Sequence, residues 1–352
     1  MSATISPPQP PATAGEAPPP PVAMMQLITG SVWLSKAIYV AAKLGLADLV
    51  AEAPRTAAEL AAVTGSHAPS LGRVLRALAS SGIFAADESG RFHLTEMAAT
   101  LQTQVPGSLH AMAILWGEPW HWQVWGSFLH GVQTGEVPWP HATGQDLFAY
   151  FASHAEQAGQ FDAAMTAFSG QEAAAVAGAY DFAGIGTLMD VGGGQGLLLS
   201  TILRAHPHLR GILVELPPVA ESARQQLAST DLGDRVEVVG GDFFATLPTG
   251  ADACILKNIL HDFADEPAVA ILRACRRALP VGARLLVVQE ALPPGNSPSV
   301  GKLLDMQMLL IGGRERTEAE YRTLYETAGF DLRRVIPTPA PLHLIEGVAV
   351  AR

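Results

Sequence analysis

Between residues 24 and 105 the apolar positions recur at helical spacing and then give way to a short hairpin pattern. Leu27, Val32, Trp33, Ile38, Val40 and Leu44 predict a first helix, with Gly45 as its stop. Thr56-Ala57-Ala58-Glu59 has the spacing of a capping box, in which the threonine hydroxyl and the glutamate carboxylate each take a backbone N–H. A helix therefore starts there, carries Leu60 and Val63, and ends at Gly65. Ser70, Leu71, Val74, Leu75 and Leu78 mark a further helix closed by Gly82. Ile83-Phe84, the turn Asp87-Glu88-Ser89-Gly90, and Phe92-His93-Leu94 read as a hairpin. Helix, helix, hairpin is the order of a winged helix.

Residues 106–180 predict mostly helices, with loops at Gly131–Gly135 and Pro138–Gly144. The stretch concentrates Trp116, Trp120, Trp122, Trp125, Trp139, Phe148, Phe151, Phe161 and Phe168. Such aromatics serve a core or a subunit interface, and their density also makes this stretch the expected source of an apolar ligand wall. From Thr187 short apolar strands alternate with helices. Strands are expected at 188–191, 211–215, 236–239, 253–256 and 284–289, with helices near 197–205, 219–228, 267–279 and 318–328. Two β segments follow, 331–336 and 342–351. The alternation predicts an α/β, Rossmann-like, doubly wound sheet with an antiparallel end strand. The expected divisions are a tail at 1–23, the winged-helix domain at 24–105, a helical connector at 106–180 and a ligand-binding domain at 181–352.

Composition narrows the function. Residues 1–23 hold eight prolines and a single charge, Glu16, too little apolar surface to offset ordering, so a disordered tail is expected. It has neither the basic start nor the apolar run of a secretory signal. Over the 352 residues, 22 basic against 33 acidic side chains leave a net charge of −11. That disfavours nucleic acid and anionic membranes as partners. No run of 18 apolar residues predicts a membrane span. Cys254 and Cys275 cannot form a disulfide framework and suit a reducing, cytoplasmic setting.

The chemistry gathers at strand ends. Asp190-Val191-Gly192-Gly193-Gly194-Gln195-Gly196 lacks the spacing of a nicotinamide fingerprint, because Leu197 stands where the last glycine belongs. Glycines still permit a tight turn pressed against a ligand, with a helix N-terminus behind it to meet an anion. Glu215 ends the second strand at the distance of a ribose-binding acid, and Asp242 ends the third beside Phe243. Taken singly, a glycine run is also an ordinary tight turn and a strand-end acid is commonly solvated. Taken in order, they favour S-adenosylmethionine (SAM), because an acidic rim repels a phosphate-bearing cofactor and accepts a cationic one. After the fourth strand comes Lys257-Asn258-Ile259-Leu260-His261-Asp262-Phe263. A histidine is largely neutral near its ordinary pKa and can take the proton of a phenol. Glu290, at the end of strand five, and Glu315, before the last helix, are candidates to hold the imidazole's other nitrogen.

These motifs, with Val214-Glu215-Leu216-Pro217 and Gly313–Thr317, resemble the SAM-dependent O-methyltransferases of the plant caffeate/isoflavone type and their bacterial natural-product relatives. The resemblance runs from about residue 24 to the C-terminus. It implies that Asp190, Gly192, Gly194, Glu215, Asp242, Phe243 and Lys257 belong to the cofactor site, with Phe263 replacing a tryptophan beside adenine. It implies His261 as base with Glu290 and Glu315 as its carboxylates, and Trp120, Phe161, Met165 and Met308 as substrate-pocket positions. It further implies an N-terminal dimerisation domain, an aromatic small-molecule substrate, S-adenosylhomocysteine (SAH) as product, and no metal; no His/Cys ligand cluster stands out in the sequence. Two departures are visible. The ribose acid is Glu215 where the family has Asp, and the stretch 305–312 is shorter than in the plant enzymes and lacks their asparagine.

Other readings keep part of this picture. Some bacterial relatives use the fold for hydroxylation or decarboxylation. A winged-helix regulator that reads DNA is opposed by the second helix, which carries only Arg73 and Arg76. The helical character of residues 24–45 suits pairing with a second subunit, so a homodimer sharing parts of each active site is expected.

Overall fold

The computed structural model describes residues 20–351, apart from the side chains at positions 168 and 171. The described chain forms two compact units that part between Gly117 and Glu118.

The N-terminal unit opens with a helix at Pro20–Lys43. Proline is accepted in a first helical turn, where its missing N–H has no partner to lose. Residues 20–23, expected in the tail, therefore belong to the helix; the rest of the tail lies outside the described residues. The capping box forms as its spacing predicts: Thr56 Oγ1 accepts the Glu59 N–H at 3.2 Å, and Glu59 Oε2 accepts the Thr56 N–H at 2.7 Å. The helix it starts, Ala57–Thr64, ends at Gly65 with a φ of 66°. Ala68–Ser80 is the next helix, and Phe84–Ala86 pairs antiparallel with Arg91–Leu94. Arg55–Thr56 adds a third short strand to that hairpin. Leu46, Leu60, Leu75, Leu78 and Phe84 fill the core between these pieces.

The C-terminal unit is built on a seven-stranded sheet: β1 (Thr187–Val191), β2 (Arg210–Glu215), β3 (Val236–Gly240), β4 (Ala253–Lys257), β5 (Arg284–Gln289), β6 (Phe330–Pro337) and β7 (His343–Ala349). Its order is β3-β2-β1-β4-β5-β7-β6. The last strand of the chain, β7, runs antiparallel and inserts between β5 and β6. Apolar layers cover both faces, so the inner strands read as continuous apolar runs. The order reverses between β1 and β4, which opens a crevice at the carboxyl ends of the strands.

The helices at Leu197–Ala205, Pro217–Ala228, Asp265–Ala278 and Glu318–Ala328 lie where the periodicity put them. The two expected loops do not. Phe128–Thr134 and Pro138–Thr143 are short helices, and the glycines read as loop signals are their stops. Gly135 and Gly144 adopt φ near 76° and 77°, and their N–H groups return to the carbonyls of Gly131 and Pro140. Among the described residues no helix is long and apolar enough to cross a membrane.

Candidate active site

The glycine turn is shaped by what lies beneath and beside it. Gly192, Gly194 and Gly196 all have positive φ. A Cβ on Gly193 would fall 2.4 Å from Asp190 Oδ2, and one on Gly192 would fall 2.6 Å from Ile259 Cδ1 and 3.6 Å from the Phe243 ring. The ends of β1, β3 and β4 therefore converge on one turn that only glycine fits. Glu215 closes it: its carboxylate accepts the N–H of Gly194 at 3.0 Å and that of Leu216 at 2.7 Å. Asp242 is exposed on the same rim and accepts the Phe244 N–H at 2.8 Å, while the Gly241 N–H reaches the Glu215 carbonyl. Phe243 meets Phe263 edge-on at 6.1 Å, with Phe244 5.4 Å from Phe263, so three rings form an apolar corner beside the acids.

Asp190 departs from its expected part. It is fully buried under the turn, neither carboxylate oxygen has a hydrogen-bond partner, and burial pushes its pKa up to about 7. Asp190 thus lies beneath the turn, with no accessible surface in this structure.

His261 lies in a short 3-10 turn, Leu260–Asp262, four residues past the end of β4. Its Nδ1 is 2.6 Å from Glu315 Oε1, and its Nε2 is 3.6 Å from Asp262 Oδ1. Burial pulls the imidazole's pKa down, but the Glu315 hydrogen bond and the nearby carboxylates outweigh it and hold the value above that of an ordinary histidine. Burial also raises Asp262. Among the described residues nothing joins Glu290 to His261. The Glu290 carboxylate instead accepts the Ser299 hydroxyl, and a Cβ on Gly301 would strike it. Of the two expected carboxylate partners, the chain path brings in Glu315 and leaves Glu290 occupied elsewhere.

The segment that delivers Glu315 is locked to the base. A Cβ on Gly313 would overlap the His261 carbonyl oxygen at 2.0 Å, and the Arg314 N–H donates to that oxygen at 2.7 Å. Arg316, fully buried, donates to the carbonyls of Leu260 and Phe263 and to Asp265. Asp305 accepts the Glu315 N–H at 2.7 Å. Arg316 was not anticipated as a clamp.

The aromatic stretch packs as one cluster. Trp120 lies within about 6.3 Å of Trp139, Tyr150 and Phe151, and Phe151 sits 4.9 Å from Phe161. Met165 follows Phe161 on the helix Ala155–Ala179, and Met308 is buried on the helix Gly301–Leu309. Two links tie this wall to the frame of the base: Trp125 Nε1 donates to Gln307 at 3.2 Å, and the Trp139 N–H to the Leu310 carbonyl at 2.9 Å. Trp120 Nε1 likewise finds Gln160 at 3.0 Å, a polar partner not anticipated.

Two further groups were not anticipated. Lys257 Nζ lies 2.7 Å from Glu172 and 3.0 Å from the Ser169 hydroxyl, and Glu172 is 2% exposed. Burial raises the Glu172 pKa despite the lysine. In addition, His130 and His141 on the two short helices gather with Glu136 from the link between them, with donor atoms within 4.8 Å of one another. The three are mostly exposed, and the group contains no cysteine. None of the three contacts His261.

Two family models match this chain, an O-methyltransferase dimerisation domain over residues 25–104 and an O-methyltransferase domain over residues 125–331. Phenazine O-methyltransferase PhzM of Lysobacter antibioticus is 46% identical over 324 residues, covering 92% of this chain and 94% of its own. CalO1, a methyltransferase in calicheamicin biosynthesis solved in its SAH-bound form, matches with a TM-score of 0.85 at 36% identity, over 94% of this chain and 98% of that one. Aclacinomycin 10-hydroxylase RdmB of Streptomyces purpurascens is 37% identical over 309 residues, 86% of this chain and 83% of its own.

Proposed function

The chain belongs to the SAM-dependent O-methyltransferases, and from that premise we propose that it methylates a phenolic hydroxyl of an aromatic natural-product scaffold. Gly192 and Gly194 receive the cofactor, Glu215 holds its ribose, and Asp242, Phe243 and Phe263 border its adenine. The turn and the apolar corner fit such a ligand, since a Cβ on Gly194 would point into open space and the Phe243 and Phe263 rings beside it are only half-buried. When bound, SAM supplies an electrophilic methyl on a sulfonium and leaves as neutral SAH.

The observation that carries the reading is the buried His261–Glu315 pair on the same strand-end rim as the glycine turn. The Nε2 of His261, 3.6 Å from Asp262 Oδ1 and beyond hydrogen-bond reach of it, takes the acceptor's proton, and Glu315 stabilises the imidazolium so formed. The Trp120, Phe161, Met165 and Met308 wall orients an aromatic acceptor and excludes water, so the reacting oxygen is held rather than encountered.

The working unit in this reading is a homodimer. The Pro20–Lys43 helix leaves Met25, Leu27, Ile28 and Trp33 exposed, the last at 70%, beside an apolar groove of about 370 Å³ lined by Leu34, Ile38, Leu101, Met112 and Trp116. The two free, buried cysteines fit a reducing cytoplasm.

Incubation with SAM and a panel of hydroxylated phenazines, naphthoates and benzoates tests the reaction by product mass. A gain of one methyl is expected. A gain of one oxygen or a loss of carbon dioxide would favour the second reading, which the likeness to RdmB keeps in view.

A further inference from the structure

His130, Glu136 and His141 bring three donors of metal-ligating type to one point, on a hairpin that holds none of the residues placed above at the cofactor or the base. The backbone is shaped to do so. Phe128–Thr134 and Pro138–Thr143 approach closely because Gly131 has no side chain: a Cβ there would lie 2.5 Å from Pro138 Cγ. Gly135 turns the chain through the left-handed region, and its N–H returns to the Gly131 carbonyl. The Thr134 hydroxyl then accepts the Glu136 N–H at 3.1 Å and donates to the His130 carbonyl at 2.8 Å. So placed, the Glu136 carboxylate meets His130 Nε2 at 2.8 Å. On the second helix, His141 lays its ring over that of His130, with centroids 3.7 Å and planes 15° apart.

A surface ion pair accounts for only two of these groups. With the Glu136 side chain 71% exposed, such a pair contributes little to stability. His141 is the group it leaves unexplained. That ring is exposed, touches His130 by its face, and has no hydrogen bond to a described residue. Its nitrogens are open to a ligand shared with the other two side chains.

The donor set says which ligand. Two imidazole nitrogens and a carboxylate oxygen suit Zn²⁺ and its first-row neighbours, whereas Mg²⁺ and Ca²⁺ ask for oxygen throughout. Around a tetrahedral ion with bonds of about 2.1 Å, donors stand roughly 3.4 Å apart. The three here already lie within 4.8 Å of one another, a gap that rotation of surface side chains closes as the two rings open from their stack. The net charge of −11 also draws cations toward the chain.

We propose that His130, Glu136 and His141 bind one divalent transition-metal ion of the Zn²⁺ class, with water completing its coordination. The inference goes beyond the methyl-transfer reading and does not depend on it, and the ion takes no part in that chemistry. Its effect is that of a staple between the two helices. The second of them carries Trp139, whose N–H donates to the Leu310 carbonyl, and Val137 just before it stands 3.0 Å from where a Cβ on Gly312 would be. The ion therefore stabilises the hairpin that backs the aromatic wall.

Calorimetry with Zn²⁺ alone tests the site, on the full chain freed of any histidine tag and stripped with a chelator. One ion per chain is expected, with a Kd on the order of 1 μM. At a free concentration of about 100 Kd, Tm is expected to rise by about 4 °C. His130→Ala, Glu136→Gln and His141→Ala are each expected to weaken binding by about 10-fold or more, since each removes a ligand. His93→Ala removes a histidine that pairs with Asp87 alone, and should leave the affinity within about 2-fold. No heat with Zn²⁺, or equal affinity in wild type and His141→Ala, would overturn the site. So would equal affinity for Mg²⁺, or loss of SAH binding on adding Zn²⁺, which would put the ion in the cofactor site. If a variant does not fold, Co²⁺ on the wild-type chain decides. Intense visible d–d bands of a four- or five-coordinate ion are expected, and the weak spectrum of the hydrated octahedral ion overturns the assignment.

Discussion

His261 must be neutral to accept a proton, and its surroundings set the pH at which it is. Because the Glu315 hydrogen bond and neighbouring carboxylates hold its pKa above the usual 6.5, the active form is depleted as pH falls through that raised value. kcat/KM is therefore expected to rise with pH along an acid limb whose midpoint lies above 6.5. Glu315→Gln removes the charged partner and leaves burial, which acts the other way, so the limb shifts to lower pH. The plateau also falls, by roughly 10- to 100-fold, since the imidazolium loses its counter-charge. His261→Ala is expected to lower kcat by about 10²- to 10⁴-fold, the usual worth of a positioned base. Glu290 provides the contrast. With its carboxylate on Ser299, Glu290→Gln should cost less than about 10-fold and leave the limb in place. pH–rate profiles of the three variants check this, and a shift for Glu290→Gln equal to that for Glu315→Gln would restore Glu290 as a partner of the base.

At the scale of elements, the base depends on how tightly the 313–317 segment lies against the Leu260–Asp262 turn. Gly313→Ala places a methyl where the His261 carbonyl oxygen already is, 2.0 Å away. The segments must part, and Glu315 moves with them. SAH affinity is expected to hold within about 3-fold while kcat falls by about 100-fold or more, a split that calorimetry and single-turnover rates would reveal. The same elements show what the sequence could tell. The Glu318–Ala328 helix lies where the sequence put it, near 318–328, and a Thr317–Glu320 capping box and Gly329, both local features, bound it. The rim positions of Glu215 and Asp242 were legible because parallel topology forces strand ends to converge. Phe128–Thr134 and Pro138–Thr143 were not, since seven and six residues are too few to display a period and a C-capping glycine looks like a loop glycine. Glu172 was hidden in an alanine-rich helix, 85 residues from the lysine that gives it meaning. Glu290 and Glu315 looked alike in sequence, and only Gly313 and Arg316, by docking one segment onto the His261 turn, tell them apart.

For the whole molecule, charge bears on how two copies would pair in the proposed dimer. Each chain carries a net charge of −11, so long-range forces between copies are repulsive. In the proposed dimer, association then draws on apolar surface, and Met25, Leu27, Ile28 and Trp33 are exposed on the first helix. In a two-fold pairing each such residue is buried twice, so one substitution acts at two contacts. Trp33→Asp is thus expected to convert a dimer to monomers at micromolar concentration, because it removes a large buried ring and adds like charge at both contacts. Salt provides the second arm. Screening weakens repulsion over roughly 10 Å at 0.1 M while apolar burial is little affected. Sedimentation equilibrium should show wild-type association tightening as salt is raised from roughly 0.05 to 0.5 M. Weakening over that range would mean that ion pairs, not the exposed helix face, hold the copies together, and Trp33→Asp would then leave the dimer largely intact.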